Sequence, residues 1–326
     1  MSEPAAGPQP LLECVPNVSE GRNAASLTAL ERRLALVPGL RLLDLAPDPD
    51  HHRSVVTLAG SAGELRDGVL ALFEWAAGHV DLRHHRGVHP RVGAVDVVPF
   101  VPLAGATMAD AVGAARTTAA AVADRFELPV YLYEEAARVP ERRLLADIRR
   151  GQFEGFPAKI AQPDWAPDFG PARVHPSLGV TVVGARFFLL AVNARLATAD
   201  VTTARAIARA VREAAGGLPG VRALGLHLES RGCAQVSMNL VDFRRTSLPD
   251  LLARVETEAR ARGTEVVATE LVGLAPAAAL LDPLRAMLRS DALGTRQIVE
   301  WRLLELESGR ARSEDGRGQA PPLHSE

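Results

Sequence analysis

Lysine is almost missing from this sequence of 326 residues, in which Lys159 is the only one. A catalytic lysine therefore has a single candidate. Cysteine is nearly as rare, and Cys14 and Cys233 lie far apart without forming a Cys-x-x-Cys pair. The sequence thus predicts neither a structural zinc site nor a disulfide framework, and it is typical of a protein from a reducing cytosol.

Long hydrophobic runs are also missing, since no apolar stretch approaches the roughly 20 residues that span a bilayer. The N-terminal MSEPAAGPQP lacks the basic and apolar regions of a signal peptide. We therefore expect a cytoplasmic protein without a membrane partner. The formal net charge is −2, which excludes the basic footprint of a nucleic-acid-binding protein. Any acidic substrate has to be held by local arginines.

The remaining composition is ordinary for a globular protein, 47% hydrophobic and 23% charged, and the chain is long enough for two domains. Hydrophobic spacing predicts strands between helices at 24–37, 64–77, 108–126, 201–215 and 248–262, the last with Ser247 as its N-cap. The pattern predicts the α/β class, with two α/β subdomains, each a mixed sheet with helices packed on it, and a ligand cleft between them. We place a disordered leader at 1–9, an N-terminal subdomain at 10–184, a C-terminal subdomain at 185–308 and a disordered tail at 309–326.

The stretch from His84 to Leu103, HHRGVHPRVGAVDVVPFVPL, stands out within this pattern. Its valine-rich second half predicts a buried strand. Pro90 favours an extended conformation at His89, so His89, Arg91 and Gly93 are expected to face the same side. An imidazole, a guanidinium and a bare backbone would then share one candidate site.

Six of the nine histidines lie within about forty residues, and two interpretations compete. One is a metal site built from Asp50, His51, His52, His85 and His89. Gly87 and Pro90 disfavour the continuous helix that would present His85 and His89 together, so we predict no metal. The other is proton transfer by one histidine near neutral pH. The remaining histidines, in particular His51, His79 and His84, are then expected to be solvated loop residues.

Seven separate sequence blocks indicate a protein family. In chain order they are LLECVPNVSEGRN (11–23), DPDHHRSVVTLAG (48–60), GVHPRVGAVDVVPFVP (87–102), LPVYLYEEAAR (128–138), PDWAPDFGP (163–171), AQVSMNLVDF (234–243) and LVGLAP (271–276). In these blocks and their order the sequence resembles the glutamate formiminotransferases, and the resemblance extends over about residues 11–305.

The resemblance implies a homodimer in which tetrahydrofolate lies between the two α/β subdomains. It implies transfer of the formimino group from N-formimino-L-glutamate to N5 of tetrahydrofolate, a step of histidine breakdown, with no metal. The family's catalytic histidine corresponds to His89. Its folate-binding loop corresponds to Gly170, Pro171, Ala172, Arg173, Val174, His175, Pro176, Ser177, Leu178 and Gly179.

The chemistry of the implied reaction suggests further residues. Both substrates carry carboxylates, for which arginine is a natural partner, and Arg91 and Arg53 are candidates; the alternative is a salt bridge to Asp44, Asp48 or Asp96. An acid is also expected at the amino-pyrimidine edge of the pterin, where Asp164 and Asp168 qualify by residue type alone.

The sequence departs from the family pattern in three respects. Ala46 stands where bifunctional relatives carry an acid, so Asp44 or Asp48 would have to replace it in catalysis. His52 stands where relatives often have asparagine. Val174 and Leu178 stand where aromatic residues are common. A folate-binding protein with altered or lost transfer, and an enzyme acting on 5-formyltetrahydrofolate, therefore stay open. We expect no appended cyclodeaminase domain.

Overall fold

The computed structural model describes residues 10–290 and 293–304, so the predicted leader and tail lie outside the described residues. The first part of the chain contains strands β1 (Leu12–Cys14), β2 (Asn17–Val18), β3 (Arg41–Asp48), β4 (Arg53–Gly60), β5 (Val95–Pro102), β6 (Val130–Glu134) and β7 (Thr181–Ala185). Its helices are α1 (Ala24–Leu34), α2 (Ala62–His79), α3 (Met108–Phe126), α4 (Leu145–Ile148) and α5 (Gln152–Ile160).

The second part contains strands β8 (Leu190–Leu196), β9 (Val221–Leu228), β10 (Cys233–Leu240) and β11 (Val266–Val272), and helices α6 (Val201–Val211), α7 (Leu248–Arg260) and α8 (Ala277–Leu288). Residues 299–304 are also helical. The major helices begin at the polar caps that the sequence offers. Ser61 and Glu64 form a capping box on α2, and Ser247 caps α7 as predicted.

The first seven strands form one mixed sheet. Strands β1 and β2 lie antiparallel between β4 and β5, β3 pairs with β4, and β5, β7 and β6 run parallel. Helices α1, α2 and α3 cover one face and enclose the largest hydrophobic core. Part of the other face packs under α4 and α5 through Tyr131, Ile148 and Phe156.

The other four strands form a second sheet in the order β11-β8-β10-β9, with α6 and α7 on one face. The prediction of two α/β subdomains is confirmed, although this second sheet is antiparallel throughout where a mixed sheet was expected. The short turn at Glu229–Arg231 joins β9 to β10, and such a turn is too short for the crossover that parallel neighbours require. The exact boundary at residue 184 stays a prediction.

Polar contacts join the two subdomains on both sides of the space between the sheets. Arg222 Nη1 lies 2.7 Å from Glu134 Oε1. The Ser230 hydroxyl donates to Asp50 Oδ2 at 2.6 Å. None of the described helices is long and apolar enough to cross a membrane.

Candidate active site

A cavity of about 150 Å³ lies between the two sheets. Core-facing apolar residues and cavity-facing polar residues alternate along the strands, which gives the cavity a polar lining. In β1, Leu12 and Cys14 pack into the hydrophobic core, while Glu13 faces the cavity. In β4, Arg53 and Thr57 face the cavity in the same way. Successive side chains of a strand point to opposite faces, so the polar residues inserted between apolar ones reach the same space.

The second sheet supplies uncharged polar groups by the same alternation. The even-numbered residues of β8 and β10 form the core under α6 and α7. The odd-numbered residues Asn193, Ser237 and Asn239 line the cavity from the opposite side. The cavity is therefore bounded by both subdomains, and a ligand inside it would touch both.

Three guanidinium groups and two carboxyl groups line this cavity: Arg53, Arg149, Arg186, Glu13 and Asp48. Burial raises the pKa of Glu13, with the charge of Arg186 acting in the opposite direction. The excess of guanidinium groups suits a ligand that carries carboxylates, because arginine forms paired hydrogen bonds with them. Thr57 Oγ1 and Arg149 Nε are buried without a hydrogen-bond partner among the described residues, so both are available to a polar ligand.

His89 lies at the wall of the cavity, in contact with Arg53. Its Nδ1 is 2.8 Å from the Pro90 carbonyl, which fits a proton on Nδ1 and leaves Nε2 as the acceptor. Arg53 Nη1 contacts both ring nitrogens, at 2.6 Å from Nε2. A guanidinium can only donate, so with the proton on Nδ1 it can hydrogen-bond only Nε2, and the imidazole must be neutral for Nε2 to accept.

The surroundings of His89 hold it in that neutral form. Burial, followed by the positive charges of Arg53 and Arg149, places the pKa of His89 well below its usual value. Burial also lowers the pKa of Arg53 to about 9, together with repulsion from Arg149. Arg53 consequently stays protonated at neutral pH while His89 does not.

The turn that presents His89 is fixed by Asp96. This carboxylate accepts hydrogen bonds from the backbone N–H groups of Val92 at 2.7 Å and Gly93 at 3.3 Å, and it pairs with Arg149. Any side chain at Gly93 would meet the Val180 carbonyl at 2.0 Å. The single acid in the apolar run therefore shapes the turn, and it is not a partner of Arg91 or Arg53.

His51 is buried and pairs with Asp48, so the expectation of a solvated loop residue is wrong for His51. Its side chain lies against the cavity with Nδ1 2.5 Å from Asp48 Oδ2. His84 is exposed in a turn, as expected. His79 is exposed too, but it ends helix α2 and its ring stacks on Trp75, so it is not a loop residue. Among the described residues, no three His, Cys, Asp or Glu side chains are arranged to hold a metal ion.

Comparison with known proteins identifies this arrangement. A model of the N-terminal subdomain of the formiminotransferase domain matches residues 11–186, and a model of the formiminotransferase domain matches residues 191–300. The chain belongs to the formiminotransferase family. Family membership makes the protein a transferase.

Individual relatives agree. The chain is 41% identical over 295 residues to the glutamate formimidoyltransferase of Streptococcus pyogenes serotype M1, covering 90% of this chain and 99% of that protein. It is 39% identical to that of Thermoplasma acidophilum, covering 89% and 96%. It is 41% identical to the formimidoyltransferase-cyclodeaminase of Rattus norvegicus, of which it spans about half, with coverage of 83% and 51%. Among solved structures, the periplasmic protease PqqL of Escherichia coli has a TM-score of 0.20 at 9% identity, covering 87% of this chain and 36% of the protease.

Within the formiminotransferase fold, Arg91 does not line the cavity of about 150 Å³, although Arg91 and His89 both line a much smaller neighbouring pocket. Both terminal nitrogens of Arg91 bind the Glu154 carboxylate, at 2.7 and 2.9 Å, and its Nε donates to His85 at 3.1 Å. The chain bends at Val88 and His89 instead of continuing extended, and the Arg91 guanidinium is bound by Glu154 and His85 outside the cavity lining. Asp44 lies on β3 opposite Thr57, but it is not part of the cavity lining, whereas Ala46 and Asp48 are.

The loop that was expected to bind folate, residues 170–179, does not line the cavity either. It packs behind the segment that carries His89, since Ala94 donates to the Leu178 carbonyl at 2.9 Å and Leu82 to that of Ser177 at 2.9 Å. Asp164 is exposed, and the buried Asp168 accepts from the backbone of Leu132.

Residue patterns in the sequence missed several cavity residues. Arg149 directly follows the short helix α4, and Arg186 directly follows strand β7. No periodicity predicts which way a side chain points at such positions. Glu13 had a usable signal, because a lone acid between Leu12 and Cys14 in a strand predicts a polar group on the face opposite the core.

Proposed function

We propose that this formiminotransferase transfers the formimino group of N-formimino-L-glutamate to N5 of tetrahydrofolate, in the cytoplasm and as a homodimer, in histidine breakdown. The observation that carries the proposal is the cavity between the subdomains, in which a neutral histidine faces three arginines. Formiminoglutamate brings two carboxylates and tetrahydrofolate brings a glutamate tail, and both fit a guanidinium-rich space.

His89 is the general base of the proposed reaction. Attack of N5 on the formimino carbon places positive charge on N5, which must lose a proton before the adduct collapses. The Nε2 of neutral His89 takes that proton. An imidazole held neutral by burial and two guanidinium groups is ready for this at neutral pH, and a positively charged N5 is acidic enough for a weak base.

Arg53 connects substrate binding to this base. In the structure, Nη1 of Arg53 lies 2.6 Å from Nε2 of His89, so the guanidinium blocks this nitrogen. A substrate carboxylate is a stronger partner for a guanidinium than a neutral imidazole is, so substrate binding draws Arg53 away and frees Nε2. Arg53, Arg149 and Arg186 replace Arg91 as proposed carboxylate partners. Asp48 replaces Asp44 as the acid beside Ala46.

The pterin is the less defined part of the proposal. Glu13, the buried carboxyl group in the cavity, is the proposed partner of its amino-pyrimidine edge, in place of Asp164 and Asp168. The loop of residues 170–179 stays a proposed folate-binding segment on the resemblance alone.

The test is a spectrophotometric assay with tetrahydrofolate and N-formimino-L-glutamate, comparing the wild type with His89→Ala. Loss of the base should lower kcat by roughly 10²- to 10⁴-fold. His84→Gln, whose side chain is 83% exposed, is the matched control and should keep the wild-type rate. A near-normal rate in His89→Ala would refute its role. Tight folate binding without turnover of any formimino donor, or turnover of 5-formyltetrahydrofolate alone, would refute the proposed reaction.

A further inference from the structure

The pairing of His51 with Asp48 gives the cavity a second acid–base group. The His51 side chain is only 6% exposed. Its Nδ1 lies 2.5 Å from Asp48 Oδ2, and its backbone N–H donates to Asp48 Oδ1 at 2.9 Å. Two contacts to one carboxylate fix the ring and place a proton on Nδ1.

The other ring nitrogen of His51 is available for chemistry. Nε2 is buried and has no hydrogen-bond partner among the described residues, although both His51 and Asp48 line the cavity. Leaving a buried polar atom without a partner costs free energy. A ligand group that exchanges a proton with Nε2 would satisfy it.

The two histidines of the cavity have opposite surroundings. His51 rests against a carboxylate, which fixes the orientation and the tautomer of its imidazole. His89 rests against Arg53, with no carboxylate within hydrogen-bond distance among the described residues. The rings meet edge to face, with centroids 5.8 Å apart. Paired titratable groups whose environments differ in this way commonly divide the roles of acid and base.

We propose that His51, oriented by Asp48, is the general acid that protonates the departing glutamate nitrogen; this inference rests on the proposed formimino transfer. The bond between N5 and the formimino carbon forms first, and His89 removes the proton from N5. The bond from that carbon to the glutamate nitrogen then breaks, its electron pair goes to the nitrogen, and the nitrogen takes the proton of His51 Nε2. The proton on His89 passes back to His51, so the N5 proton is finally carried by the amine of glutamate.

The test uses the dependence of the rate on the leaving group. An acid matters most for a basic amine, so we compare N-formimino-L-glutamate with N-formimino-4,4-difluoroglutamate, which keeps both carboxylates but releases a less basic amine. His51→Gln should lower kcat roughly 10²- to 10⁴-fold with the natural donor. The defect should shrink by roughly tenfold or more with the fluorinated donor, whereas the defect of His89→Ala should not.

A second variant covers the case in which His51→Gln does not fold. Asp48→Asn keeps the shape of the pair and should lower kcat less than His51→Gln does. Its kcat defect should also be smaller with the fluorinated donor than with the natural donor. His84→Gln again serves as the control. An unchanged kcat in either folded variant, or an equal loss with both donors, would overturn the role of His51 while wild-type turnover still supports formimino transfer. Absence of turnover in the wild type would instead refute the transfer itself.

Discussion

Removing the charge of Arg53 should move the pH dependence of the enzyme in a defined direction. His89, the proposed general base, can accept a proton only when it is deprotonated, so the rate should fall as the pH decreases through its pKa. Burial is the largest cause of the low pKa of His89, and the charge of Arg53 is the next. Arg53→Gln removes the second cause, so the pKa rises and the acidic limb of the profile moves to higher pH.

The size of the shift follows from Coulomb's law. At a charge separation of roughly 4 Å, the repulsion is about 1 kcal/mol at the dielectric constant of water and about 4 kcal/mol at an effective value of about 20. Arg53→Gln removes this repulsion, so the pKa of His89 should rise and the acidic limb of the profile should move to higher pH.

The assay is kcat/KM measured between about pH 5 and 9, since this ratio reports groups of the free enzyme. KM for formiminoglutamate should rise in the same variant, because Arg53 is also a proposed carboxylate partner. Arg66→Gln, which removes a guanidinium paired with Asp67 on the surface of α2, should leave the limb in place. A limb that stays in place or moves to lower pH in Arg53→Gln would refute the reasoning.

Two further predictions concern the segment behind the cavity. Burial lowers the pKa of His85 to about 4, below its value of about 6.5 in an unfolded chain; the unfolded chain thus binds the proton first, and stability falls as the pH drops from about 6.5 toward 4. In urea titrations between about pH 7.5 and 5, the wild type should lose about 2 kcal/mol more unfolding free energy than His85→Gln does. An equal loss in both proteins would contradict this. Arg91→Gln should lower the unfolding free energy by about 1–3 kcal/mol without changing KM for formiminoglutamate, and a rise in KM of about tenfold would return Arg91 to the carboxylate site.

Sequence patterns predicted the parts of this fold that depend on local order. Apolar spacing placed the long helices, and Ser247 was correctly predicted to cap α7. The seven blocks pointed to the family that the comparisons then confirmed. These features are readable because caps and periodicity act between residues only a few positions apart.

The direction of single side chains after a turn was beyond the sequence. Arg91 was expected in the site of His89, but its guanidinium binds Glu154 and it does not line the cavity. His51 was expected in solvent, but the hairpin of β3 and β4 folds it over Asp48 and into the cavity wall. Both outcomes depend on which distant segments meet, and no local period encodes that.

The sequence by itself determined the fold class and made His89 the candidate base, because motif and periodicity are properties of neighbouring residues. Only the tertiary structure decided which charges surround that base. Arg53, Arg149 and Glu13 come from separate elements that meet at one cavity once the sheet has formed. The effect of Arg53 and Arg149 on the pKa of His89 depends on distance and burial, and both quantities exist only in the folded chain.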